Sequence, residues 1–230
     1  MVIQVANSIV DICNLALSRC RTNNIGAFTD VSPQAEQCRI FYPEARNFVL
    51  SKLDWPFNRK TIVMALKAYT PAEWTYAYAY PNDCIFVRRL LPGKDSPSQG
   101  YQSTGDRFDH FDQYQVDYSV EMDDTNKQVI VTNQPEARLI YSAKVEDVSQ
   151  FGQMVTELVA WRMAGDLAIK FGGDNGMRYR RDAQASFGLI FSEASAAYLN
   201  QGQPRQRQTI PASIRGRTSR SSNSANYRRV

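Results

Sequence analysis

Hydrophobic spacing changes period twice along this chain of 230 residues, and that switch constrains the fold more than any single motif. In residues 1–59 and again in 146–202, apolar side chains recur at steps of three and four, the spacing of a helix face. Between 60 and 145 they alternate at a step of two, the spacing of strands. A first helix starts at Ser8, with Asp11 placed to complete a capping box, and Ile9, Cys13, Ala16 and Cys20 share one face. A second opens at Ser32-Pro33 and carries a seam of Ala35, Cys38, Tyr42, Ala45 and Val49 until Trp55-Pro56 stops it. Pro43 lies inside that helix and predicts a kink, since the missing N–H costs roughly 3 kcal/mol in a helix interior. Asp147 and Gln150 predict a third capped start. A stripe of Phe151, Met154, Leu158, Trp161, Gly165 and Ala168 follows, and Gly172-Gly173 ends it. The fourth helix runs from near Asp174 to Asn200-Gln201-Gly202 on Ala183, Phe187, Ile190, Ala194 and Ala197.

The central block predicts strands over 61–69, 74–80, 84–91, 114–120, 128–132 and 138–145, with turns at Asp123–Asn126 and Asn133–Pro135 and a Gly/Ser/Pro-rich loop between Pro92 and Gly105. The expected class is therefore α+β: an antiparallel bundle of about four helices, split around a β-rich insertion. Its parts are a helical domain over 1–59 and 146–202, the insertion over 60–145, and an extended basic arm over 203–230.

Within the insertion, residues 74–84 read WTYAYAYPNDC. At a step of two, Trp74, Tyr76, Tyr78 and Tyr80 would share one face of a strand, with Thr75, Ala77 and Ala79 on the other. Such a strand left bare would aggregate, so it must pack on its own body or on a partner subunit.

Chemistry is sparse. One His and four Cys without a CxxC pair argue against a zinc site, and Cys13 and Cys20, seven apart, read as reduced core thiols. No Walker motif, GxGxxG or GxSxG occurs, so no cofactor and no enzymatic activity are expected. No apolar run is long enough to span a membrane and no leader pattern begins the chain, which predicts a soluble protein made in a cytoplasm.

Charge is unevenly spread. The net charge is +4, yet residues 203–230 hold seven Arg (Arg205, Arg207, Arg215, Arg217, Arg220, Arg228 and Arg229) and no acid, so the remainder has an acid excess. That segment is too polar to order itself alone. It reads as plain disorder, as a DNA-binding arm, or as an arm ordered on a neighbour through Ile210 and Ile214 as well as its Arg residues. Residues 106–124 hold seven acids against Arg107 and His110. Asp106, Asp109 and Asp112 there are candidates for a solvated acidic surface, an intersubunit contact or a channel lining that repels DNA, with a carboxylate pair for wall cleavage as the remote case. Arg162 and Asp166 form a helix-surface pair or a subunit-boundary pair. In the latter case Ala160, Ala164, Gly165 and Ala168 would let a neighbouring helix approach. Arg178, Arg180 and Arg181 crowd the start of the last helix, where the dipole disfavours cations.

Four segments in order carry a resemblance spanning roughly residues 8 to 170. They are SIVDICNLALSR (8–19), SPQAEQCRIFYPEARNFVLSKLDWPF (32–57), WTYAYAYPNDC (74–84), and RLIYSAKVEDVSQF (138–151) leading into LVAWRMAGDLA (158–168). Together they resemble the ring-forming adaptor proteins, or tail tubular proteins A, of short-tailed bacteriophages. The resemblance implies a structural virion protein of the tail or neck, not an enzyme. It would assemble in the host cytoplasm as a ring, commonly of twelve copies, that joins the portal to the tail nozzle, seals the head and offers tail fibres a surface. Double-stranded DNA would pass through the lumen without specific binding, and no membrane or cofactor would be involved. Trp74, Tyr76, Tyr78, Arg162, Asp166, Arg178, Arg180 and Arg181 become candidates for an intersubunit or partner surface. The arm residues become candidates for portal or neighbour contact. The rival readings are a sequence-independent DNA-binding protein that uses the arm and a wall-degrading tail enzyme.

Overall fold

The computed structural model describes residues 8–69, 71–93 and 116–201. Four α-helices and two small antiparallel sheets among the described residues make this a mixed α+β protein. Its helices are α1 (Ile9–Arg19), α2 (Pro33–Lys52), α3 (Gln153–Phe171) and α4 (Gly176–Gln201).

Local chemistry sets the helix starts. Ser8 Oγ accepts from Asp11 N at 3.1 Å, and Ser8 N donates back to the Asp11 carboxylate at 3.2 Å, the expected capping box. Ser32 Oγ accepts from Ala35 N at 3.2 Å beside Pro33, and α2 then runs unbroken through Pro43. The α2 seam is as spaced: Ala35, Cys38, Tyr42, Ala45 and Val49 are all buried. Asp147 does cap, but only a single 3-10 turn over Val148–Gln150. Its carboxylate is taken by Ser149 N and Oγ, the chain stays extended at Phe151, and α3 begins after Gly152. The α3 stripe also needs correction, because Met154 is exposed while Val155, Leu158, Val159, Met163 and Leu167 are buried. A helix apolar on nearly every side must be surrounded. Accordingly α1, α2 and α4 all pack on α3. Gly172 ends it where no side chain fits, since a Cβ there would lie 2.5 Å from Ala168 O; Gly173 follows at φ 52°.

The strands among the described residues are β1 (Arg59–Val63), β2 (Tyr76–Ala79), β3 (Cys84–Leu91), β4 (Tyr118–Met122), β5 (Gln128–Thr132) and β6 (Arg138–Ala143). One sheet has the order β1-β6-β3 and the other β2-β5-β4. The strand expected over 61–69 is divided: Met64 turns inward, its N–H bonding Ala137 O at 3.1 Å, and residues 65–67 cross to the second sheet. There Lys67 N donates to Ala77 O and Ala79 N to Ala65 O, both at 2.9 Å. At the opposite margin Val116 bridges Leu90. The ladder thus closes in the order β1-β6-β3-β4-β5-β2 and back to β1, a small antiparallel barrel. Closure removes the free edges that an aromatic strand would otherwise offer for aggregation. Tyr76, Tyr78 and Tyr80 pack with the interior of Met64, Val87, Leu90, Ile130, Leu139 and Tyr141. Trp74 does not share that face. It precedes the strand and packs with Tyr69 on the outer cluster of Ala77, Val129 and Val131.

One arginine fastens barrel to helices. The last carbonyls of a helix lack intrahelical donors. On α2 these are met by Trp55 Nε1 (to Val49 O, 3.1 Å), Asn58 Nδ2 (to Leu50 O, 3.2 Å) and Arg88 Nη2 of β3 (to Ser51 O, 2.9 Å, and Leu53 O, 2.6 Å). Arg88 Nε also donates to Ser142 Oγ at 2.8 Å, so a single guanidinium spans both parts. Burial pushes its pKa below the ordinary arginine value.

Candidate functional site

Phe48 leaves the α2 seam and stands 36% exposed between α3 and α4. Two cations lie on its ring: the Arg162 guanidinium at 4.9 Å and Lys52 Nζ at 4.6 Å from the centroid. Such contacts contribute about 0.5–1 kcal/mol each when exposed. Phe187 of α4 meets Phe48 at 6.1 Å and stacks on Phe191 at 6.0 Å with an interplanar angle of 9°. Arg162 pairs with Asp166 at 3.7 Å across one helical turn. Phe48, Arg162, Asp166 and Phe187, together with Trp161, Gly165, Arg180, Ala183 and Gln184, line a cleft of about 150 Å³. Its floor is apolar and its rim mostly cationic.

Three candidates from the sequence therefore meet in one place: Arg162, Asp166 and Arg180. Arg178 and Arg181 are exposed and outside the cleft lining. The small-residue stripe of α3 serves the chain itself. Ala160, Ala164 and Ala168 are buried, Cys20 Sγ lies 3.2 Å from Ala164 O, and Gly165 faces Ala183. Tyr78 is only 2% exposed and donates its hydroxyl to Gln134 O at 2.9 Å, which removes it from any partner surface; Tyr76 and Trp74 are half-buried. The arm residues Arg205, Arg207, Ile210, Ile214, Arg215, Arg217, Arg220, Arg228 and Arg229, and the acids Asp106, Asp109 and Asp112, lie outside the described residues.

Phe48, Lys52 and Phe187 are the contributions that sequence reasoning missed in this role. A large ring one position before the seam residue Val49, on an otherwise regular face, was the available signal. Arg88 had none, being one of two adjacent arginines in an alternating strand.

The remaining polar clusters are structural. Arg19 of α1 pairs with Glu157 of α3 and sits 3.8 Å above the Trp161 ring, and burial lowers its pKa. At one barrel end Lys60 and Tyr141 both bond Asp83, at 2.6 and 2.9 Å, and hold its carboxyl below the usual range. Lys67 does the same to Asp123 more strongly, helped by Thr125 and the Lys127 N–H. All four cysteines are free thiols, and burial pushes Cys20 up to about 11.

Among the described residues no three His, Cys, Asp or Glu side chains are placed to hold a metal, and no helix is long and apolar enough to cross a membrane. No protein-family model matches the chain, and no curated protein matches it. The cleft offers recognition chemistry: a ring-lined depression with guanidinium and ammonium donors beside it.

Proposed function

We propose that this chain is a structural subunit of a short-tailed bacteriophage virion, an adaptor ring between portal and tail nozzle. The order and spacing of the four resembling segments support the reading. The observation that carries it is the state of α4. Ala183 and Ala194 face α3 and are buried, but Phe187, Ile190 and Phe191 are only half-buried and Leu189 is 68% exposed. Apolar surface left along an outer helix, beside the Phe48 cleft, fits a subunit whose burial is completed by neighbours. In this reading the helices build the ring wall, commonly of twelve copies, and the arm over 203–230 reaches the portal or a neighbour. The barrel faces nozzle and fibres, and DNA passes through the lumen without specific binding.

Light scattering on the protein alone and with its cognate portal, each with and without residues 203–230, tests this. A species that joins the portal as a saturating ring, and fails to when truncated, is the expected result. A full-length chain that never associates with the portal overturns it. One observation favours a second reading, sequence-independent DNA binding: all seven arm cations are arginines, whose guanidinium groups pair with phosphate. That reading requires DNA affinity that falls steeply with salt and disappears with the arm.

A further inference from the structure

Residues 106–114 read DRFDHFDQY, three consecutive triplets of Asp, a variable residue and an aromatic. We propose that the cleft between α2, α3 and α4 is the docking site for these triplets from a second copy of the chain. This rests on the reading of the protein as a self-assembling subunit and names its lateral contact.

Size and charge point the same way. About 150 Å³ is well below the ~300–1,000 Å³ of pockets that enclose small molecules, but it has room for one ring. Its floor of Phe48, Phe187 and Ala183 suits an aromatic side chain, which favours tilted or offset contact with rings already present. Arg162 and Arg180 in the lining, with Lys52 beside it on the Phe48 ring, outnumber Asp166, so the cleft favours an acidic peptide and disfavours the basic arm. An aromatic of one triplet fills the depression, and the aspartates on either side of it accept charge-assisted bonds from the rim. A step of three suits that geometry, because a bound strand with three residues per turn sets acids along one row and rings along another. Gly93 and Val116 are the described residues that flank the triplets, and ten residues, at most roughly 35 Å of chain at ~3.5 Å per residue, join Asp106 to Val116. Buried aromatic anchors surrounded by polar contacts are the usual energetic centre of an interface.

The test uses full-length protein and a labelled peptide of residues 105–115, read by fluorescence anisotropy. Saturable binding is expected, weakened tenfold or more by Arg162→Glu and by Phe48→Ala, and unchanged by Lys60→Glu on the barrel. Arg162→Glu alters a half-buried side chain (38% exposed) without opening a cavity under the aromatic floor, and keeps the test valid if Phe48→Ala disturbs packing. Absence of saturable binding, or equal binding by Arg162→Glu, overturns the proposal. The triple variant Asp106→Asn, Asp109→Asn, Asp112→Asn separates copies. If the segment occupied its own cleft, this variant would bind peptide more tightly than the unaltered chain even at high dilution, and the second-copy assignment would fall. Portal association by light scattering keeps the two claims apart. Rings that form normally with Arg162→Glu remove the docking contact and leave the adaptor reading, whereas cleft-dependent peptide binding without any rings does the reverse.

Discussion

Around α3 the interior is mostly apolar, while in the barrel interior three tyrosines, Tyr78, Tyr80 and Tyr141, each have a partner for the hydroxyl. In the helical part Thr156 Oγ1 is buried without a hydrogen bond. In the barrel, Tyr78 bonds Gln134 O at 2.9 Å, Tyr141 bonds Asp83 at 2.9 Å, and Tyr80 accepts from Cys84 Sγ at 3.3 Å. The difference follows from how the two interiors are closed. Helices satisfy their own backbone, so their side chains need only be apolar and close-fitting. The barrel is joined along two margins by single bridges, Leu66 to Tyr78 and Leu90 to Val116. Its side-chain hydrogen bonds therefore add directional constraint to that of the ladder, one of them from Tyr78 at the Leu66 bridge.

The largest effect should come from breaking the helical interior at its centre. Leu158 is fully buried on the helix that all others touch, and Leu158→Ala removes its bulk where collapse is hardest. A loss of about 3 kcal/mol is expected, measured by urea unfolding followed by circular dichroism. A loss under about 1 kcal/mol would mean that α3 is not the keystone described here.

Arg88→Met comes next, because it acts on the link between the two regions. It leaves the carbonyls of Ser51 and Leu53 and the hydroxyl of Ser142 without their donor. Roughly 2 kcal/mol of destabilisation is expected, with faster amide exchange in the last turn of α2 and in β3 and β6. Unchanged exchange in β6 would show that the regions are held together by something else.

The contrast in hydroxyl matching predicts opposite signs for two conservative changes. Tyr141→Phe strands Asp83 of one donor and should cost about 1 kcal/mol, whereas Thr156→Val removes an unmatched buried hydroxyl and should be neutral or stabilising by up to about 1 kcal/mol. Thermal or chemical unfolding of both variants decides it. Equal costs would erase the distinction between the two interiors.

The helices were legible in the sequence because their information is local. Ser8, Asp11, Ser32 and Pro33 announce helix starts through bonds made within one turn, and the α2 seam reports burial directly. β3 and β5 fell on their expected bounds, each lying between turn signals that the sequence shows. Barrel closure was not legible. It depends on Met64 turning inward and on residues 65–67 pairing with β2, which no spacing in that stretch encodes. Trp74 was misassigned for a related reason: alternation continues in the sequence past the point where the strand begins, and only the outer cluster with Ala77 reveals the break. Of the cleft, the charged rim was readable as helix charges, but its aromatic floor joins α2 to α4 across a long stretch of intervening chain.

The smallest effect at neutral pH, and the sharpest probe of barrel ends against helical core, is Asp123→Asn. Asp123 Oδ1 accepts from Thr125 N at 2.9 Å, Thr125 Oγ1 at 2.7 Å and Lys127 N at 2.9 Å, and the other oxygen pairs with Lys67. An asparagine keeps the Oδ1 acceptor that shapes the turn and loses only the charge. The Lys67 bond, then those from Thr125 and Lys127, depress the folded-state pKa well below the ordinary aspartate value of about 3.9. For a depressed carboxylate the stabilisation is fully present above the unfolded value and is lost as pH falls toward the folded one. Unfolding free energy of the unaltered chain should therefore hold steady from neutral pH to about pH 5 and decline below about pH 4. In Asp123→Asn that acid slope should be shallower, with the two curves converging at the lowest pH at which the protein remains folded. Parallel curves throughout would show that the Lys67–Asp123 pair adds nothing to the barrel beyond the geometry of its turn.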